Sequence, residues 1–163
     1  MIELIFVVEA RASSQSDWMY IKSALDYFYL PRTFGIRKIF AKCKSELVRQ
    51  ASKINQAIKS SSRTPIVIIC ADYDRKEQLN TDIENYCIDN KYELVWMNLD
   101  VEDVFLGKKV KNTDKANEAF NFQKKKDILL PLIKGLNTQY PLGKRQSSNL
   151  LCICDKYLVR KIT

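Results

Sequence analysis

The stretch 66-IVIICADYDRKEQ-78 decides how this chain is read. It opens on the most apolar and β-branched run in the sequence, Ile66 to Ala71, which reads as a buried central strand. The run then gives way to two acids one residue apart, Asp72 and Asp74. Residues two apart in an extended segment face the same side, so this spacing predicts two carboxylates converging at a strand end.

Working outward, three more strands and three helices fall into place. Residues 2 to 8, IELIFVV, form a nearly continuous apolar strand. After the polar stretch EARASSQSD, Ser16 is placed to cap a helix with Asp17 in its first turn, and Trp18, Ile21, Leu25 and Phe28 make its apolar stripe. Pro31 closes that helix region. GIRKIFAKC, 35 to 43, is a more polar strand expected at an edge. From Lys44, the residues Leu47, Ala51, Ile54 and Ile58 give a second helical stripe, and Leu79, Ile83 and Tyr86 a third. YELVWMN, 92 to 98, is the fourth strand. The β-α-β-α-β-α-β order predicts a four-stranded, mainly parallel sheet covered by helices on both faces. Beyond it lie LDVEDVFLG, a basic helical stretch over about 114–134, a loop, and a final helix over about 148–161. A single domain over 1–163 is expected, with its core in 1–107 and a helical C-terminal extension in 108–163.

Composition narrows the chemistry. Apolar residues are 46% of the 163, which suits a globular core. No apolar run approaches the ~20 residues of a membrane span, so no membrane partner is expected. The opening MIELIFVVEA carries Glu3 and Glu9 and lacks a basic start, so it reads as a strand rather than a leader, and a cytoplasmic protein is expected. The five cysteines, at 43, 70, 87, 152 and 154, do not suggest a disulfide framework. Cys152-Ile153-Cys154 has no second pair with which to hold a soft metal. There is no histidine, which excludes Ser-His-Asp and Cys-His catalysis and His-ligated zinc. Only four glycines occur and no phosphate-cradling glycine motif, which argues against a nucleotide-binding dehydrogenase or kinase. A phosphoacceptor receiver domain would need an acid pair after the first strand, where Glu9 stands alone. The net charge of +8 points to a polyanionic partner, nucleic acid first.

Ligands of open parallel sheets bind beyond the carboxyl ends of the strands, and the acids of this chain cluster there. Glu9 ends strand one, Asp72 and Asp74 end strand three, and Asp100, Glu102 and Asp103 follow strand four. If strands one and three are neighbours, Glu9 lies about 4.8 Å, one strand spacing, from the aspartates. Carboxylates that close repel one another unless a cation neutralises them. A hard divalent ion answers that need with oxygen ligands and retained waters. The competing reading is that these acids are ordinary solvated loop residues, with Asp74 capping the helix that starts near Glu77.

A Glu ending the first strand (FVVEA) and an Asp-x-Asp ending a later one (IICADYDRKE) resemble the Toprim domain of topoisomerases, primases and nucleases of the overcoming-lysogenisation-defect and recombination-repair families. The similarity covers roughly residues 2 to 100. It implies a Rossmann-like three-layer fold, Mg²⁺ or Mn²⁺ at the acids, and phosphodiester chemistry on DNA or RNA; the sheet order 2-1-3-4 is expected because it sets Glu9 beside the aspartates. By that carry-over Glu9 is the acid-base or metal-linked residue and Asp72 and Asp74 are metal ligands. Glu102, in the acid-plus-apolar stretch LDVEDVFLG, is the candidate for a second metal. Ala10 and Arg75 stand where the family pattern carries glycine. The expected function is a Toprim-like, metal-dependent nuclease or related phosphodiester enzyme acting on nucleic acid, in phage defence or RNA processing, with an ATPase as a possible protein partner. The alternative is a non-catalytic α/β module that binds a protein or nucleic acid. Arg11, Arg75 and Lys76 beside the site, with Lys126 of the Lys124-Lys125-Lys126 run and the pair Lys144-Arg145, are the candidate nucleic-acid contacts.

Overall fold

All four strands run parallel, in the order β2-β1-β3-β4. The computed structural model describes residues 1–10 and 15–162. The strands are β1 (Ile2–Glu9), β2 (Phe34–Ala41), β3 (Thr64–Tyr73) and β4 (Glu93–Asn98). The three connections carry α1 (Ser16–Phe28), a 3-10 segment (Lys44–Arg49) followed by α2 (Ala51–Ser60), and α3 (Glu77–Asn90). Short helices α4 (Val101–Leu106), α5 (Lys115–Lys124), α6 (Lys126–Leu129) and α7 (Leu150–Cys154) complete the chain.

Strand alternation divides the core into two layers around the sheet. Leu4, Phe6 and Val8 of β1 with Ile68 and Cys70 of β3 pack against α1 and the C-terminal helices. Ile5, Val7, Val67, Ile69 and Ala71 pack on the other face against Leu47, Ile54 and Ile83. The three-layer α/β arrangement and the 2-1-3-4 order expected from the sequence are therefore present, with the more polar β2 at an edge. Trp18 and Trp96 are both core residues.

Three expectations change. The helix foreseen from Lys44 is broken at Gln50, so that Lys44–Arg49 forms a separate 3-10 segment. The final helix is five residues, Leu150–Cys154, instead of a run to 161. Asp155 there accepts bonds from the Tyr29 hydroxyl and the Arg160 guanidinium, and Arg160 bridges to Tyr29 in antiparallel fashion, which turns the chain out of the helix. The C-terminal segment is also more than an extension. Leu130, Leu136, Leu150 and Leu151 belong to the same core cluster as β1.

That segment also closes the sheet. The outer edge of β4 would expose unpaired backbone groups. Instead the Asn149 side chain accepts from Trp96 N at 2.8 Å and donates to Leu94 O at 3.0 Å, acting as a short strand in miniature. Asn98 N reaches Ser147 O at 3.0 Å, and Met97 bridges Ser148. Among the described residues no helix is long and apolar enough to cross a membrane.

Candidate functional site

The chain switches direction across the sheet between β1 and β3: β2 is added on one side and β4 on the other. Such a switch point opens a crevice at the carboxyl ends of its strands. Glu9 and Asp72 stand at that crevice. They line one cavity of about 280 Å³ together with Asp17, Ser16, Lys42 and Lys115. Asp72 also borders a more open cleft with Asp74, Arg75, Asp100, Asp103 and Lys109.

The register explains how Glu9 and Asp72 meet. Val8 pairs with Cys70, so Asp72 lies one step beyond the level of Glu9 and on the opposite strand phase. Asp72 is in phase with Ile68 and Cys70, facing α1, whereas Glu9 is in phase with Ile5 and Val7. The shared cavity lies past the strand ends, where both side chains reach it.

Burial and mutual repulsion mark these acids. Burial, then the charges of Asp17, Glu9, Asp100 and Glu102, push the Asp72 carboxyl well above the ordinary carboxylate range. Burial and the neighbouring Glu102 and Glu9 raise Asp17 to about 7. Burial raises Glu9 as well, against the pull of Lys76, Lys115 and Lys44. Burial is the main cause in all three; at Asp72 and Asp17 neighbouring carboxylates add to it, whereas at Glu9 the surrounding lysines oppose it.

Asp74 behaves differently. β3 ends at Tyr73, one residue before Asp74, which still borders the open cleft with Asp72. Tyr73 turns into the core and packs edge-on to Trp96. Asp74 Oδ1 accepts from Lys44 Nζ at 2.8 Å and from Lys76 N at 3.0 Å. Burial works to raise its carboxyl, but these bonds outweigh it and hold Asp74 below the ordinary range. Asp74 does not cap α3, whose N-cap residue is Lys76.

Glu102 is fully buried, and its Oε2 accepts from Lys115 Nζ at 3.1 Å while Oε1 has no partner among the described residues. Burial works to lower the Lys115 ammonium, but the charge and hydrogen bond of Glu102, with the charges of Asp17 and Asp100, together outweigh it and raise it. Asp100 caps α4 by accepting from Asp103 N at 2.7 Å.

Of the basic candidates, Arg75 borders the cleft and the Lys76 ammonium acts on Glu9. Lys144 and Arg145 lie in the loop that meets the end of β4, where Gly143 N bonds Asn98 Oδ1 at 2.9 Å. Lys126 is 3.8 Å from Asp26 near the far end of α1, away from the acids. Arg11 falls outside the described residues. Asp17, Lys42, Lys109 and Lys115 also line these openings, and the sequence alone does not single them out. Asp17 looks like a helix-start residue in sequence, and the lysines sit in loops or at a helix start that only the folded sheet brings together.

The carboxylates of the cavity, Glu9, Asp17 and Asp72, offer oxygen donors of the kind a hard divalent cation takes, beside Cys43 and two lysines on the same lining. Among the described residues, no three Cys, Asp or Glu side chains stand close enough to grip one ion between them. Mg²⁺ does not require that, since it binds through one or two carboxylates and keeps several waters. Glu9 and Asp72 fit that pattern, with Asp17 as a third carboxylate on the same cavity. No protein-family model matches the chain, and no curated protein is significantly similar to it.

Proposed function

We propose that this chain is a Toprim-like, metal-dependent phosphodiester enzyme, a nuclease acting on nucleic acid in the cytoplasm. One observation carries the reading: Glu9 and Asp72 share a single cavity at the switch point of a 2-1-3-4 parallel sheet, with Asp17 as a third carboxylate on its lining. A divalent ion held there would polarise the phosphodiester and ease deprotonation of an attacking water. Glu9, with its carboxyl raised by burial, is a better proton acceptor than an ordinary glutamate and is assigned that role. Asp72 is assigned to hold the ion. Lys42, Lys109 and Arg75 rim the two openings and would take backbone phosphates, as the net charge of +8 favours. On this reading it works within a multi-protein phage-defence or RNA-processing system, beside an ATPase.

A second reading is a non-catalytic α/β module that binds protein or nucleic acid. The Lys44–Asp74 and Lys115–Glu102 ion pairs favour it, because they neutralise two of the acids internally. Thermal melting separates the two. The enzyme reading expects Mg²⁺ or Mn²⁺ to raise the melting temperature of the wild type and not of Asp72→Ala. It also expects metal-dependent cleavage of at least one of single- or double-stranded DNA or RNA. No metal effect on either readout would refute it in favour of the binding module.

A further inference from the structure

Lys44 is almost wholly buried, at 4% exposure, which is rare for a lysine without a partner. Its ammonium donates to Asp74 Oδ1 at 2.8 Å and to Asn80 Oδ1, and it lies 5.8 Å from the centre of the Trp96 ring. Asn80 Nδ2 in turn donates to Asp74 O at 2.9 Å, and Asn80 is itself buried. Lys44, Asp74 and Asn80 thus form a closed ring across the end of β3, the start of the 3-10 segment and the first turn of α3. Freeing Asp74 would leave the ammonium buried with its counter-charge removed, a costly state. A divalent ion that sought Asp74 would also meet a like charge already bonded to the same carboxylate.

We propose that Lys44 is a built-in cation that retains Asp74, so that the site holds a single divalent ion from the Glu9–Asp72 side and Asp74 takes no part in binding it. This rests on the ion-binding reading given above, and it makes Lys44 a positioning residue rather than a catalytic one.

Mn²⁺ binding to the whole chain, followed by titration calorimetry and by the electron spin resonance of free Mn²⁺, tests it. The wild type is expected to take up one ion. Asp74→Asn, which keeps an oxygen for Lys44 to bond, is expected to bind one ion with nearly unchanged affinity. Asp72→Asn is expected to lose about tenfold or more in affinity. Lys44→Met, if folded by circular dichroism, is expected to bind Mn²⁺ more tightly or to take a second ion. If it does not fold, Asp74→Asn decides alone. Two ions in the wild type, a loss in Asp74→Asn as large as in Asp72→Asn, or unchanged binding by folded Lys44→Met would each overturn the assignment while leaving the ion-binding reading intact. A wild type that takes up no Mn²⁺ overturns the ion-binding reading, and the assignment with it.

Discussion

Replacing Asp17 by Asn should stabilise the metal-free protein at alkaline pH, although it removes a carboxylate from the first turn of α1. Asp17 moves from an ordinary 3.8 to about 7, chiefly through burial and then through Glu102. One unit is worth about 1.4 kcal/mol, so the full cost of ionising Asp17 in the folded state is at most about 4 kcal/mol above neutral pH. Partial solvent access and the sharing of repulsion with Glu102 and Glu9 reduce that to about 2–3 kcal/mol. Against it stands about 0.3–1 kcal/mol of favourable interaction with the helix N-terminus, plus a weak 3.4 Å bond from Ser16 Oγ. The net gain is about 2 kcal/mol, or roughly 4–8 °C in melting temperature for a chain of this size. The pH dependence follows from proton uptake. Between about pH 4 and pH 7 the folded wild type binds a proton on Asp17 that the unfolded chain has released, so wild-type stability falls as pH rises through that window. The variant lacks this loss, and its advantage should therefore be largest near pH 8 and shrink by more than half near pH 5. Calorimetric melts of both proteins in chelator, at those two pH values, measure it. A variant less stable than wild type at pH 8, or an equal difference at both, would refute the claim that excess buried negative charge gathers at this cavity.

Asn149→Ala should cost about 2–3 kcal/mol, because it leaves the Trp96 amide and the Leu94 carbonyl at the sheet edge unpaired; an unchanged denaturation midpoint would refute the edge-sealing role. Gly135→Ala places its new carbon 2.0 Å from the backbone oxygen of Gln146, which cannot swing aside, and should destabilise by about 1–3 kcal/mol or more in the same assay. Lys42→Glu and Arg75→Glu, both at exposed positions, should leave the melting temperature unchanged while weakening nucleic-acid binding and flattening its salt dependence by about one unit of slope per lost phosphate contact; binding isotherms at several salt concentrations check this.

The strands were legible because their signals were local and strong. The apolar run before Asp72 predicted a central strand, and the polar pattern of β2 predicted an edge, and both hold in the sheet. The neighbouring of β1 and β3, on which the meeting of Glu9 with the aspartates depended, is also present. The setting of Asp74 is decided beyond the strand: β3 ends at Tyr73, and Asp74 accepts from Lys44 Nζ and Lys76 N. The partner that captures Asp74 lies thirty positions away, at a lysine whose burial has no local signature. Asp17 was hidden for the opposite reason: an acid in a first helical turn is so ordinary that only the folded cavity distinguishes it. The short last helix was unreadable because it is cut by Tyr29 and Arg160, residues separated by most of the chain.

The sealing of β4 by Ser147 to Asn149 has a bearing on biogenesis. During synthesis all four strands emerge before the residues that finish the outermost one, so the nascent sheet spends that interval with an open flank capable of recruiting another chain. Closure of the sheet is thereby tied to synthesis of Ser147 to Asn149, and a chain terminated before Asn149 is expected to be an aggregation-prone fragment.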